Sequence, residues 1–134
     1  MGLPLKMLLF ACVGTTMEVV FTALADAAKT RSSRLMGYSY VWMPPIYALI
    51  PVFFSLLHPL LEGVILPLRV GVYTVILMSV ELLSGLALRR LLGEAPWEPA
   101  YRGKRWALAG LVRLDFAPAW FLACLVFERL YVSL

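Results

Sequence analysis

Two carboxylates, Glu18 and Glu81, stand inside apolar stretches, CVGTTMEVVF and VILMSVELLSG. An ionisable side chain in such a setting costs a few kcal/mol to insert into a bilayer, so it turns toward a partner, a cavity or a ligand. Two chemistries suit it. The carboxylates can take a proton, a cation or a polar headgroup, or they can hold a bundle together by accepting hydrogen bonds from Tyr, Thr, Trp or Arg. Thr15, Thr16, Ser79 and Ser84 lie near enough in sequence to join such a network. Arg113 and Asp115 form a second charged group where the last apolar run begins. They fit a snorkelling pair at headgroup level. Arg113 also fits a counter-charge to Glu81, because in antiparallel helices the two would differ in depth by only ~6 Å. A third group is aromatic and proline-rich: Trp42, Pro45 and Tyr47 in GYSYVWMPPIY, and Trp97 with Tyr101 in APWEPAY. Polar-tipped rings prefer the membrane interface, and a proline-broken helix end exposes backbone groups to an ion or headgroup.

The elements that must position these residues follow from composition. Of 134 residues, 62% are apolar and 15% are charged, with a mean hydropathy of +0.85. A small water-soluble fold cannot hide that much apolar surface. The pattern predicts an all-α, polytopic integral membrane protein with four transmembrane helices, at 5–28, 40–57, 68–88 and 108–131, in a single transmembrane domain, 1–134. The first run has features of a leader peptide, with Lys6 before it and Ala23, Ala25 and Ala27 near its end. Glu18 is unusual for a leader's apolar core, so the run is expected to stay as span one. Pro44, Pro45 and Pro51 predict an irregular second span, and Pro118 lies inside the fourth.

Basic residues assign the orientation. Eight lie between spans one and two or three and four: Lys29, Arg31, Arg34, Arg89, Arg90, Arg102, Lys104 and Arg105. Three, Lys6, Arg69 and Arg129, lie on the other side. The positive-inside rule then predicts an inner (plasma) membrane protein with both termini away from the cytoplasm, and it accounts for the net charge of +4 without nucleic acid. Cys12 and Cys124 read as packed thiols. Glu128 and Arg129 read as edge residues, and His58 with Glu62 as residues of a solvated turn. No catalytic, metal or cofactor signature is present, and the absence of a Gly-x-x-x-x-Gly-Lys loop excludes an intrinsic ATPase of that class. A loose internal echo, Gly14 to Glu18 against Glu81 to Gly85, and Gly37, Pro45 and Tyr47 against Gly110, Pro118 and Trp120 at an offset of 73, suggests a duplicated two-helix unit over 5–57 and 68–131.

Glu18, WMPPIY at 42–47, ELLSG at 81–85, PWEPAY at 96–101 and LDFAPAW at 114–120 together resemble the putative ABC transporter type IV permease family, which includes the vertebrate transmembrane protein 229. The similarity covers nearly the whole chain. It departs from the bacterial pattern at Ala48, where a glycine would fall, and in the wider Trp97 to Tyr101 spacing. The resemblance implies a transport-related membrane protein but no established molecular activity. The leading expectation is a small membrane component of a transport or permeation assembly, in contact with lipids, homo-oligomeric, and coupled to energy through a separate subunit. A lipid-modifying enzyme using Asp115, Glu81 and His58 is one alternative. A non-catalytic lipid-binding or assembly factor is the other.

Overall fold

The structure is a computed structural model that describes residues 1–134. Four segments are long and apolar enough to cross a bilayer, Leu3–Thr30, Met43–Leu61, Leu66–Leu92 and Leu114–Ser133. The expected number of spans is therefore present, but two boundaries differ. The second span is two helices, α2 (Met43–Ala48) and α3 (Ile50–Leu61), joined at Leu49. Pro44 and Pro45 occupy the first turn of α2, where N–H groups have no helical partner. Pro51 has no N–H to give back to α2, so the ladder lapses there and restarts with the bond from Phe53 N–H to Leu49 C=O. His58 consequently lies within α3 rather than in a turn. The fourth span starts later than expected because residues 107–113 form a hairpin instead of helix. Its strands, β1 (Ala107–Leu108) and β2 (Val112–Arg113), pair antiparallel, and a 3₁₀ turn (Leu114–Phe116) leads into the last helix. Pro118 then falls in that helix's first turn, where it is tolerated.

The chain divides within α3 into two compact units, residues 1–53 with the terminal Leu134, and residues 54–133. The first unit is α1 (Leu3–Thr30) with the segment that returns along it. At 28 residues α1 is ~42 Å long, against a hydrocarbon core of ~30 Å. It ends at Arg31, whose left-handed conformation (φ 56°) lets its N–H reach Ala27 C=O at 2.7 Å. The chain then runs back along the helix. Tyr38 N–H donates to Thr22 Oγ1 at 2.9 Å, and the Thr22 hydroxyl faces Tyr38 C=O at 3.1 Å. Beside this clasp, Gly37 lies against the Val19 carbonyl so closely that a Cβ would collide with backbone.

The second unit packs α4 (Leu66–Leu92) against α6 (Ala117–Ser133). Val70, Tyr73, Thr74, Leu77, Glu81, Gly85 and Leu88 recur at steps of three and four along α4 and form its buried stripe. Their counterparts on α6 are Cys124, Phe127 and Glu128. Phe54 caps this core, with its ring centroid 4.5 Å from Tyr73 and 5.6 Å from Tyr131. Gly93 ends α4 at φ 84°, and the connection through α5 (Glu98–Tyr101) and the hairpin folds back onto α4 at Gly85.

Candidate functional site: carboxylates held by return segments

Glu18 lies on α1 and is half-buried. Its Oε2 accepts from Ser39 Oγ at 2.9 Å and from the Tyr47 hydroxyl at 3.3 Å. Both donors are neutral. Ser39 is delivered by the clasp at Tyr38 and Thr22, which fixes the backbone one residue away. Tyr47 is delivered by α2, and its ring lies directly over Gly14, one helical turn before Glu18 on the same face of α1. Only a glycine leaves room for that ring. Thr15 Oγ1, on the adjoining turn, is buried with no hydrogen-bond partner. Pro45 contributes by opening α2, whereas Trp42 at the helix entry is 46% exposed and does not line the site. Tyr40, just outside the span, has its phenol held above the ordinary value by burial, with the charges of Tyr38 and Glu18 adding to the effect.

Glu81 is buried on α4, and its Oε1 accepts from the Tyr101 hydroxyl at 3.0 Å. Three contacts place Tyr101. Glu98 Oε1 accepts from Arg89 Nε at 2.8 Å and from Ala95 N–H at 3.0 Å, which ties α5 to the end of α4. These two bonds, Arg89 first, hold the Glu98 carboxyl below its ordinary range. Trp97, 4% exposed, donates Nε1–H to Leu111 C=O at 2.8 Å, and both residues crowd Gly85. The Tyr101 ring meets Phe116 edge-on at 6.0 Å. The site is thus assembled by a loop that reaches back two turns along α4.

Of the two readings of Arg113, the structure carries out the pairing with Asp115. Its Nε and Nη2 lie 3.1 and 2.5 Å from the two carboxylate oxygens, and its guanidinium lies 4.1 Å from the Phe116 ring centre. Arg113 does not stand at the depth of Glu81 on an antiparallel helix, because residues 112–113 are strand and not helix. Glu81, Asp115 and His58 do not form one cluster: their partners are Tyr101, Arg113 and the Tyr131 ring, respectively.

Glu128 lies inside the second unit. It is 5% exposed rather than an edge residue, and Arg69 grips it with two bonds, Nε to Oε2 at 2.6 Å and Nη2 to Oε1 at 2.8 Å. Arg69 also donates to Val64 C=O at 2.9 Å. One sign of this was legible: Arg69 in the first turn of α4 and Glu128 near the end of an antiparallel partner lie at matching depth. Ser39 had no such sign, since its role depends on the return path of the chain.

The model of one family, described as putative ABC-transporter type IV, matches residues 5–134. No solved structure matches the chain.

Proposed function

The chain belongs to the putative ABC-transporter type IV family, and from that premise we propose that it is the membrane-embedded part of a transport assembly in which Glu18 and Glu81 are exchangeable ligands for a proton or a small cation. One observation carries the reading. Glu18, deep in a long apolar helix, is met by two neutral hydroxyls, so its charge is solvated rather than cancelled. A carboxylate held in that way keeps affinity for a proton or cation that a guanidinium partner would quench. The unpartnered Thr15 hydroxyl supplies a further oxygen one turn away. Glu81 likewise accepts from a phenol, that of Tyr101. Each carboxylate lies 12 residues beyond a basic residue, Lys6 or Arg69, and 8 before a charged one, Asp26 or Arg89. This shared spacing supports a common role for both groups; its offset of 63 differs from the 73 that relates Gly37, Pro45 and Tyr47 to Gly110, Pro118 and Trp120.

The protein then functions as a homo-oligomer in the inner membrane, with both termini away from the cytoplasm, and takes energy from a separate subunit. The test is proton or Na⁺ entry into proteoliposomes, driven by a potassium diffusion potential and read with trapped pH- or Na⁺-sensitive dyes. Glu18→Gln and Glu81→Gln should abolish the flux while preserving helicity and folded yield. Flux equal to that of the wild type in both variants would defeat the ligand role. A second reading, a non-catalytic packing and assembly factor, is favoured by the way each hydroxyl ties a return segment to its own helix. It expects folded yield to fall together with any flux. The lipid-modifying enzyme finds less support, because its three residues are engaged separately.

A further inference from the structure

The hairpin between α5 and α6 buries two of its apolar residues and leaves three exposed, and buried Val112 shares a face with exposed Leu108, which lies directly opposite it. Its strands are joined by three residues, 109–111, in which Ala109 (φ 55°) and Gly110 (φ 72°) are the centre of a turn closed by Leu111 N–H on Leu108 C=O at 3.0 Å. Leu111 and Val112 are buried, Leu111 against Gly85 of α4. Trp106, Leu108 and Leu114 are instead 53%, 50% and 48% exposed. They are neighbours: Leu114 N–H donates to Trp106 C=O across the ladder at 2.9 Å, and Leu108 is two residues along from Trp106 on the same face. Beside them are Lys104 and Arg105, both exposed. The nearby Arg102 pairs with Glu94, whereas Arg105 lies over the Trp106 ring, 5.5 Å from its centre.

Depth identifies the partner. Gly85 lies one turn, ~6 Å, inside α4 from Arg89, so a hairpin seated on Gly85 is level with the edge of the span and not above it. An apolar row containing Trp, next to cations without ion-pair partners and level with the acyl boundary, matches the chemistry of an interfacial anchor. We propose that residues 104–114 dock on the surface of the surrounding bilayer, with Trp106, Leu108 and Leu114 in the acyl boundary and Lys104 and Arg105 on the phosphates of anionic lipids.

The full chain is placed in nanodiscs of phosphatidylcholine with phosphatidylglycerol, carrying a nitroxide on Leu108→Cys in a Cys12→Ser, Cys124→Ala background. Power saturation then compares oxygen with a water-soluble nickel chelate as relaxing agents. The label should collide more with oxygen, and a label on Lys104→Cys more with nickel. Nickel-dominated relaxation at position 108 would overturn the proposal and assign the row to a soluble protein partner. A second measurement leaves the native cysteines in place. Native mass spectrometry of lipids retained from the mixed discs should show the K104E/R105E variant losing preference for phosphatidylglycerol by on the order of tenfold. Unchanged preference in a folded variant would remove the anionic-lipid site.

Discussion

Replacing Gly14 by alanine should destabilise the wild-type chain yet stabilise a chain from which the Tyr47 ring has been removed. An added Cβ at Gly14 would lie 2.9 Å from Tyr47 Cβ and closer still to ring atoms Cγ and Cδ1, whereas carbon atoms rest ~3.5–4.0 Å apart. The obstructing atoms are the root of the ring, so no rotamer change clears them and α2 must retreat by ~1 Å. That movement takes the 3.3 Å bond from the Tyr47 hydroxyl to Glu18 out of range. Overpacking costs ~1–3 kcal/mol, and losing a hydrogen bond to a charged group adds ~1.5–3 kcal/mol. Against these stands the helix preference for alanine over glycine, ~1 kcal/mol. The balance is a net loss of ~1.5–5 kcal/mol in the wild-type background. In a Tyr47→Ala background the collision and the bond are both absent, and Gly14→Ala should gain ~0.5–1 kcal/mol. The four proteins of this cycle can be compared by reversible unfolding in mixed micelles of a mild detergent and dodecyl sulfate, followed by circular dichroism. A loss of equal size in both backgrounds would refute the placement of Tyr47 on Gly14.

The second glycine contact should be more forgiving. A Cβ at Gly85 would meet the flexible tip of Leu111, Cδ2 at 2.8 Å, with Leu111 Cβ and the Trp97 ring each at a less severe 3.2 Å. Gly85→Ala should therefore cost less than ~1 kcal/mol, while Gly85→Leu should unseat Trp97, measured as a red shift of tryptophan emission that is missing in Trp97→Phe. Removing one partner of the Arg69–Glu128 pair, buried on the glutamate side and half-buried on the arginine side, takes away a charge-assisted hydrogen bond, at ~1.5–3 kcal/mol. A paired Arg69→Met, Glu128→Leu change should recover most of the lost thermal midpoint, and failure to do so would assign the pair a role beyond packing. Acid should loosen the α5 region. Because the Glu98 carboxyl is held below its ordinary value of 4.5, its stabilisation is complete above that value and is lost as pH falls through the lowered one. Hydrogen exchange at Ala95, corrected for intrinsic rates, should speed up in that acid window for the wild type and be independent of pH there in Glu98→Gln.

The site is only partly legible in the sequence. Glu18, Glu81, Tyr47, Tyr101 and Trp97 stand out because a carboxylate in an apolar run, or a polar-tipped ring beside prolines, is anomalous by its local setting alone. Which hydroxyl reaches which carboxylate is not local. Ser39 lies 21 residues from Glu18, and Tyr101 lies 20 from Glu81. Both contacts exist because a connecting segment turns back along the helix it has just left. Arg113 is the instructive failure: a rise of 1.5 Å per residue converts sequence into depth only where the chain is helical, and residues 107–113 are a hairpin closed by two residues with positive φ.

By itself the sequence determined the class of protein and the number of spans, because the bilayer imposes a fixed thickness on every apolar run and charged residues mark where each run must end. The break at Leu49 was also within its reach, since proline removes a backbone donor wherever it occurs. Tertiary structure decided that Glu128 is buried against Arg69, where the sequence offered only their matching depth, that Tyr47 rests on Gly14, and that Arg113 answers to Asp115 and not to Glu81. Hydrophobic partition acts on each segment separately, but a hydrogen bond or a close approach needs two segments in one place, and only the folded chain supplies that.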